Sequence, residues 1–279
     1  MHGTPQFTDC IVDLSNHYIS GRFTNQSRTE NSLFLFSLQS CNKGAKIMLI
    51  LNKIGKEMNR GMELKGIKMA CLGDSITEGV GVSNMENMYY NRIQRECGIR
   101  ELYIDGIGGT RVARQQTPSE TPSVDQYFIP RVDAIDEDCD LIVVFGGTND
   151  FGHGDAPMGT PEDRTEDTFW GACHVLCEKL INRFPKAQIV FMSPLHRENE
   201  DCAYGSNKPQ PVGTLYDYVE VIKTVTRRFA IPFLDMLQVS GMTPIVPVYK
   251  TLYMPDGLHP NDAGHEKIAQ RLKGFLVSL

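Results

Sequence analysis

The feature that most constrains this sequence is a rhythm that begins near residue 66. From there, short unbroken apolar runs alternate with stretches patterned for helices. The strongest run is Leu141–Phe145, apolar and β-branched in its middle, bounded by Asp140 and by Gly146-Gly147. A continuous run, unlike an alternating one, belongs to a strand buried on both faces. Strands of that kind separated by helices predict a parallel sheet covered on each side. The expected strands are Ile67–Leu72, Glu101–Ile104, Leu141–Phe145, Gln188–Met192 and the short Pro232–Leu234. The expected helices are Met88–Cys97, Val124–Ile135, Thr165–Phe184 and Leu215–Phe229. A last helix, capped by Asn261 or Asp262, runs to about Val277.

Residues 1–61 have a different character. Their first half is rich in Asn, Ser, Thr and Gly without a clear period, and 46–58 reads as one short amphipathic helix. Such a segment buries too little apolar surface to fold alone. We therefore expect a poorly ordered N-terminal extension over 1–61 and a working domain over 62–279. The apolar run Leu33–Leu38, with Cys41 after it, is too short to span a membrane and is read as no secretion signal.

Composition narrows the partners. The net charge is −6 with no basic stripe, which argues against nucleic acid or an anionic membrane surface as partner. Eight cysteines resemble a disulfide set, but several fall within apolar runs or helical stretches, where free thiols serve as small hydrophobes. Reduced thiols fit a cytoplasmic setting. Oligomeric state is not legible.

Four polar motifs follow the expected strands or precede the last helix. In open α/β sheets the carboxyl ends of the strands are where ligands bind. The first is Gly73-Asp74-Ser75-Ile76-Thr77-Glu78-Gly79. A serine at a strand-to-helix turn can present its hydroxyl and its N–H at the sheet edge, although Asp and Ser are also ordinary helix caps. The second, Asp105-Gly106-Ile107-Gly108-Gly109-Thr110, offers either close backbone approach to a ligand or a plain tight turn. The third is Gly146-Gly147-Thr148-Asn149-Asp150, whose Asn amide can donate to developing negative charge, or simply form a turn with Asn in a left-handed conformation. The fourth is Asp256-Gly257-Leu258-His259-Pro260. An Asp three residues before a His can fix its tautomer from within one turn, or the pair can be a surface turn.

Together, and in this order, the four motifs resemble the SGNH/GDSL hydrolase family over roughly Leu64 to Leu279. The resemblance implies a flavodoxin-like three-layer α/β/α sandwich with a parallel five-stranded sheet ordered 2-1-3-4-5. It implies Ser75 as nucleophile, His259 as general base and Asp256 as the residue orienting it. It also implies an oxyanion hole of Ser75, Gly109 and Asn149, with Gly108 as the alternative register for the glycine. Ile76 stands where the family's naming motif has Leu, a nearly volume-neutral packing change. The implied activity is hydrolysis of carboxylic esters, short acyl or acetyl groups, possibly on carbohydrates. The substrate is then a small molecule, and no metal or organic cofactor is required. Lysophospholipase or thioesterase activity, or a binding protein that keeps the fold, are the alternatives. A nucleotide site is disfavoured, because neither G-x-x-x-x-G-K-[ST] nor a G-x-G-x-x-G after the first strand is present.

Other residues are weighed against plainer roles. Phe151–Asp155 reads as a loop near the pocket in which His153 could touch substrate. His196-Arg197 could bind a polar substrate group. Cys173, His174 and Cys177 superficially suggest metal ligands but fit core packing better. Trp170, Tyr89 and Tyr90 are expected in the core, and Asp262 and His265 in the opening turns of the last helix. Loops 111–123 and 197–212 are expected to shape the pocket.

Overall fold

The computed structural model describes Phe7–Leu14, His17–Thr24, 61–203 and 212–279. The chain divides into two units, Met1–Met58 and Asn59–Leu279. In the first, β1 (Phe7–Leu14) pairs antiparallel with β2 (His17–Thr24), two strands that the sequence pattern does not announce. The expected helix over 46–58 lies outside the described residues.

The second unit is built on β3 (Lys68–Gly73), β4 (Glu101–Gly106), β5 (Leu141–Phe145), β6 (Gln188–Met192) and β7 (Phe233–Leu234). These form one parallel sheet in the order β4-β3-β5-β6-β7. Counted within the domain, that is 2-1-3-4-5, as the resemblance implies. Gly73 pairs in register with both Gly106 and Phe145. The chains leaving three neighbouring strands therefore emerge side by side.

Between the strands lie α1 (Ser75–Glu78), α2 (Tyr89–Cys97), α3 (Phe128–Arg131), α4 (Thr148–His153), α5 (Phe169–Arg183) and α6 (Leu215–Arg228). After β7 come α7 (Met236–Val239), α8 (Pro247–Tyr253) and α9 (Asp262–Leu276). Alternate residues of the sheet supply two separate cores, which is why Met69–Leu72, Leu141–Phe145 and Ile189–Met192 are unbroken apolar runs. Ala70, Leu72, Ile142 and Val144 pack with Phe128, Leu176 and Ile222 on one face. Met69, Cys71, Leu141 and Val143 pack with Ile93, Ile268 and Leu272 on the other. The result is three layers, helix on sheet on helix.

Two expected helices change. Thr165–Phe184 begins only at Phe169, because Thr168 caps it by accepting the Gly171 N–H. Val124–Ile135 breaks into a 3₁₀ turn at Pro122–Asp125, the short α3, and a second 3₁₀ turn at Val132–Ala134. Pro130 has no N–H to give a continuous helix, and Arg131 turns inward to the sheet edge instead. Cys173 and Cys177 are buried on α5, and the His174 ring packs against Trp170 and Phe229. Cys71, Cys97, Cys139, Cys173, Cys177 and Cys202 are free thiols. Among the described residues, no helix is long and apolar enough to cross a membrane.

His265 of α9 is fully buried and stacks on Tyr89 at 6.0 Å, and neither ring nitrogen has a hydrogen-bond partner among the described residues. Burial pushes its pKa down to about 4. The unfolded chain therefore binds this proton at a higher pH than the folded one. Stability contributed by the neutral ring is complete above about 6.5 and is lost as pH falls toward 4. His265→Phe keeps the stacked ring and removes the titration. Its melting temperature should fall less than that of the wild type between pH 6.5 and 4, and equal falls would refute this role.

Candidate active site

The site begins where β3 ends. Asp74 caps α1 by accepting the Ile76 N–H at 3.0 Å, which turns the chain sharply and leaves Ser75 as the first helical residue. Thr77, the next side chain down, meets the Tyr89 hydroxyl at 3.2 Å and anchors the turn in the core. Burial raises the Asp74 carboxyl to about 7, against the opposing pull of the Ile76 N–H.

Across the sheet edge, the last turn before α9 carries Asp256 and His259. Asp256 Oδ1 accepts the N–H groups of Leu258 and His259 at 2.9 and 2.7 Å. Its Oδ2 lies 2.6 Å from His259 Nδ1, and His259 Nε2 lies 3.0 Å from Ser75 Oγ. The three side chains thus form one unbroken hydrogen-bonded line, although Ser75 and His259 are 184 residues apart. Burial alone would raise the Asp256 pKa, but its bonds to the His259 and Leu258 N–H groups and the His259 ring hold it below the ordinary carboxylate value. The turn depends on Gly257 at φ +81°, where a Cβ would meet the Glu198 side chain within 2.7 Å. Glu198 closes the turn from outside, donating its N–H to the Gly257 carbonyl and pairing with Lys250.

The glycine loop after β4 lies next to α1. Gly108 gives its N–H to Glu78 Oε2 at 2.9 Å. Gly109, at φ +75°, follows with its N–H in no hydrogen bond among the described residues. Of the two glycines named as alternative donors, the Gly108 N–H is thus engaged by Glu78. Arg131, buried beneath the loop, joins the strands: it donates to the Gly73 carbonyl at 2.9 Å, to Asp105 and to Thr110 Oγ1.

The third motif is helical and is not a turn. Gly147, at φ +105°, takes the left-handed conformation, and Asn149 lies in the first turn of α4. Asn149 Nδ2 donates to the Thr110 carbonyl at 3.0 Å, and its Oδ1 lies 2.8 Å from His153 Nε2. The Asp150 carboxylate accepts the N–H groups of Val112 and Ala113, both at 2.9 Å, and burial raises its pKa to about 6. The segment expected as a loop at 151–155 is therefore partly helix. Arg197 is buried and donates to the Thr148 carbonyl and hydroxyl, while His196 pairs with Glu200, which also accepts from the Tyr216 hydroxyl. Tyr89 and Tyr90 are in the core.

Ser75, Gly109, Asn149, Asp256 and His259 are thus gathered from four separate stretches of chain to one edge of the sheet. A carboxylate, an imidazole and a hydroxyl in line can carry a proton off the hydroxyl, and neighbouring N–H groups can hold an oxyanion. Residues 71–267 match the family model described as GDSL-like Lipase/Acylhydrolase. The chain belongs to this family. GDSL-like acylhydrolases are hydrolases, and the three-layer fold agrees. A solved structure of a protein from Lactobacillus plantarum is 30% identical, with a TM-score of 0.66, covering 77% of this chain and 98% of that one. A protein from Bacteroides ovatus described as a GDSL-like lipase is 19% identical, with a TM-score of 0.54, over 77% of this chain and all of its own. A carbohydrate acetylesterase family member from Sinorhizobium meliloti is 20% identical, with a TM-score of 0.52, over 76% and 100%. The last two likenesses carry the GDSL-like fold alone. No curated protein gives a significant match.

Sequence reasoning passed over Glu78, Arg131 and Asp150. Glu78 and Asp150 lie within the quoted motifs, which is a usable signal. Arg131 lies in a segment read only as a weak helix.

Proposed function

We propose that this GDSL-family hydrolase is a serine esterase that cleaves small carboxylic esters through an acyl-enzyme. The observation that carries the reading is the line from Asp256 Oδ2 through His259 to Ser75 Oγ, at 2.6 and 3.0 Å. Asp256 accepts the Nδ1–H, which leaves Nε2 as the base facing the hydroxyl. Nε2 takes the Ser75 proton as Oγ bonds to the ester carbonyl carbon. The oxygen that gains the negative charge is held by the N–H groups of Ser75 and Gly109 and by the Asn149 amide. As the tetrahedral centre collapses, His259 returns the proton to the departing alcohol. Water then attacks the acyl-enzyme, giving its proton to Nε2, and the acid leaves as Ser75 is reprotonated.

For the acyl group we favour short chains, acetyl above all. What supports this preference is that one fold neighbour is named as a carbohydrate acetylesterase family member. The test is a chain-length series of p-nitrophenyl esters run beside acetylated sugars. kcat/KM should be highest for acetyl and fall by about tenfold or more toward octanoyl. A maximum at long chains would favour the lysophospholipase alternative instead. A fluorophosphonate probe should label Ser75 stoichiometrically, and an unlabelled, folded protein would point to a binding module.

A further inference from the structure

An oxyanion-hole amide must present nitrogen, not oxygen, to the reacting carbonyl. Asn149 is buried, and the two ends of its amide are sterically alike, so contacts must decide which end faces where. On one side the Thr110 carbonyl lies 3.0 Å from Nδ2. A carbonyl only accepts, so that position must hold the nitrogen. On the other side Oδ1 faces His153 Nε2 at 2.8 Å. Because Oδ1 only accepts, His153 must carry its hydrogen on Nε2. Rotating the amide by half a turn would set oxygen against the Thr110 carbonyl oxygen, a repulsion in place of a bond, and would keep the His153 contact only in the ring's other tautomer.

We propose that His153 is a positioning residue of the oxyanion hole: it fixes the Asn149 amide so that its second N–H is available to the oxyanion. This rests on the serine-esterase reading above. His153 is four residues after Asn149 on α4, so the two side chains share one face of the helix. Its backbone is secured as well. The buried Arg111 donates to the His153 carbonyl at 3.1 Å and to the Val124 carbonyl at 2.8 Å. Val124 in turn packs where a Cβ on Gly109 would lie, at 2.8 Å. Arg111 thereby couples the half of the hole that carries Asn149 to the half that carries Gly109. In this proposal His153 acts on the reaction through Asn149.

The test is a double-mutant cycle on p-nitrophenyl acetate hydrolysis, with melting temperature recorded for each protein. His153→Phe removes the donor and should lower kcat roughly three- to tenfold with KM unchanged. His153→Gln restores an N–H donor at the same reach and should recover most of that loss. In an Asn149→Ala background, His153→Phe should have no further effect, because the group it orients is gone. The proposal is overturned if His153→Phe stays within twofold of wild type, if it raises KM instead, or if its effect persists undiminished in the Asn149→Ala background. Failure of the esterase reading looks different: Asn149→Ala alone would then leave kcat unchanged, instead of lowering it by about 10²- to 10³-fold.

Discussion

Replacing Ser75 by alanine should reduce ester turnover by on the order of 10⁶ in kcat while leaving the fold intact. The size follows from what the hydroxyl does. In the proposed mechanism it forms the bond to carbon, so without it the remaining groups can only orient substrate and stabilise charge for direct attack by water. The fold should tolerate the change because the turn is held by other atoms. Asp74 caps it, Thr77 anchors it to Tyr89, and the Ser75 carbonyl accepts from Gly79 and Val80 through the backbone, independent of the side chain. The hydroxyl's hydrogen bond is to His259. Kinetics at saturating p-nitrophenyl acetate, with melting curves beside them, measure both halves of the expectation. Turnover within tenfold of wild type, in a variant that melts normally, would remove Ser75 from the chemistry.

How much of this could be read from the chain alone depends on how local each signal is. The sheet was legible because β3, β5 and β6 are buried on both faces, and a strand in that position shows an unbroken apolar run after its first residue or from its start. Ser75, Asn149, Asp256 and His259 were legible as motifs because each sits within a few residues of the glycines and caps that shape its turn. What was not legible acts across the fold. Arg131 reaches the Gly73 carbonyl 58 residues away, and Asp150 binds N–H groups 37 and 38 residues away. No spacing rule announces such partners. The helix α8 escaped for the opposite reason: none of its residues is buried, so it shows no apolar face with a helical period. The breakage of the Val124–Ile135 helix has a similar origin, since Arg131 makes more hydrogen bonds at the sheet edge than an exposed helix would allow it.

The Asp256-His259 turn gives the sharpest second prediction. Asp256→Asn should lower kcat by about 10⁴-fold, and at least as far as Asp256→Ala does. In the native turn, Oδ1 accepts two backbone N–H groups, from Leu258 and His259. An asparagine keeps those bonds only if its oxygen stays in that position, which forces its nitrogen to the place of Oδ2, 2.6 Å from His259 Nδ1. Two hydrogens on that nitrogen then require Nδ1 to accept. The ring's own hydrogen moves to Nε2, where it faces Ser75 Oγ as a donor, and the base is lost. Alanine imposes no such tautomer. The Asp256 side chain is 54% exposed, so water can enter the vacated space and accept from Nδ1, preserving some of the neutral, correctly oriented ring. An amide should therefore harm catalysis as much as the complete truncation or more, although it resembles the native side chain far more closely. kcat for the two variants on one substrate decides the matter. If Asp256→Asn stays within tenfold of wild type, Asp256 does not set the tautomer, and the orientation of His259 must come from the backbone of its turn.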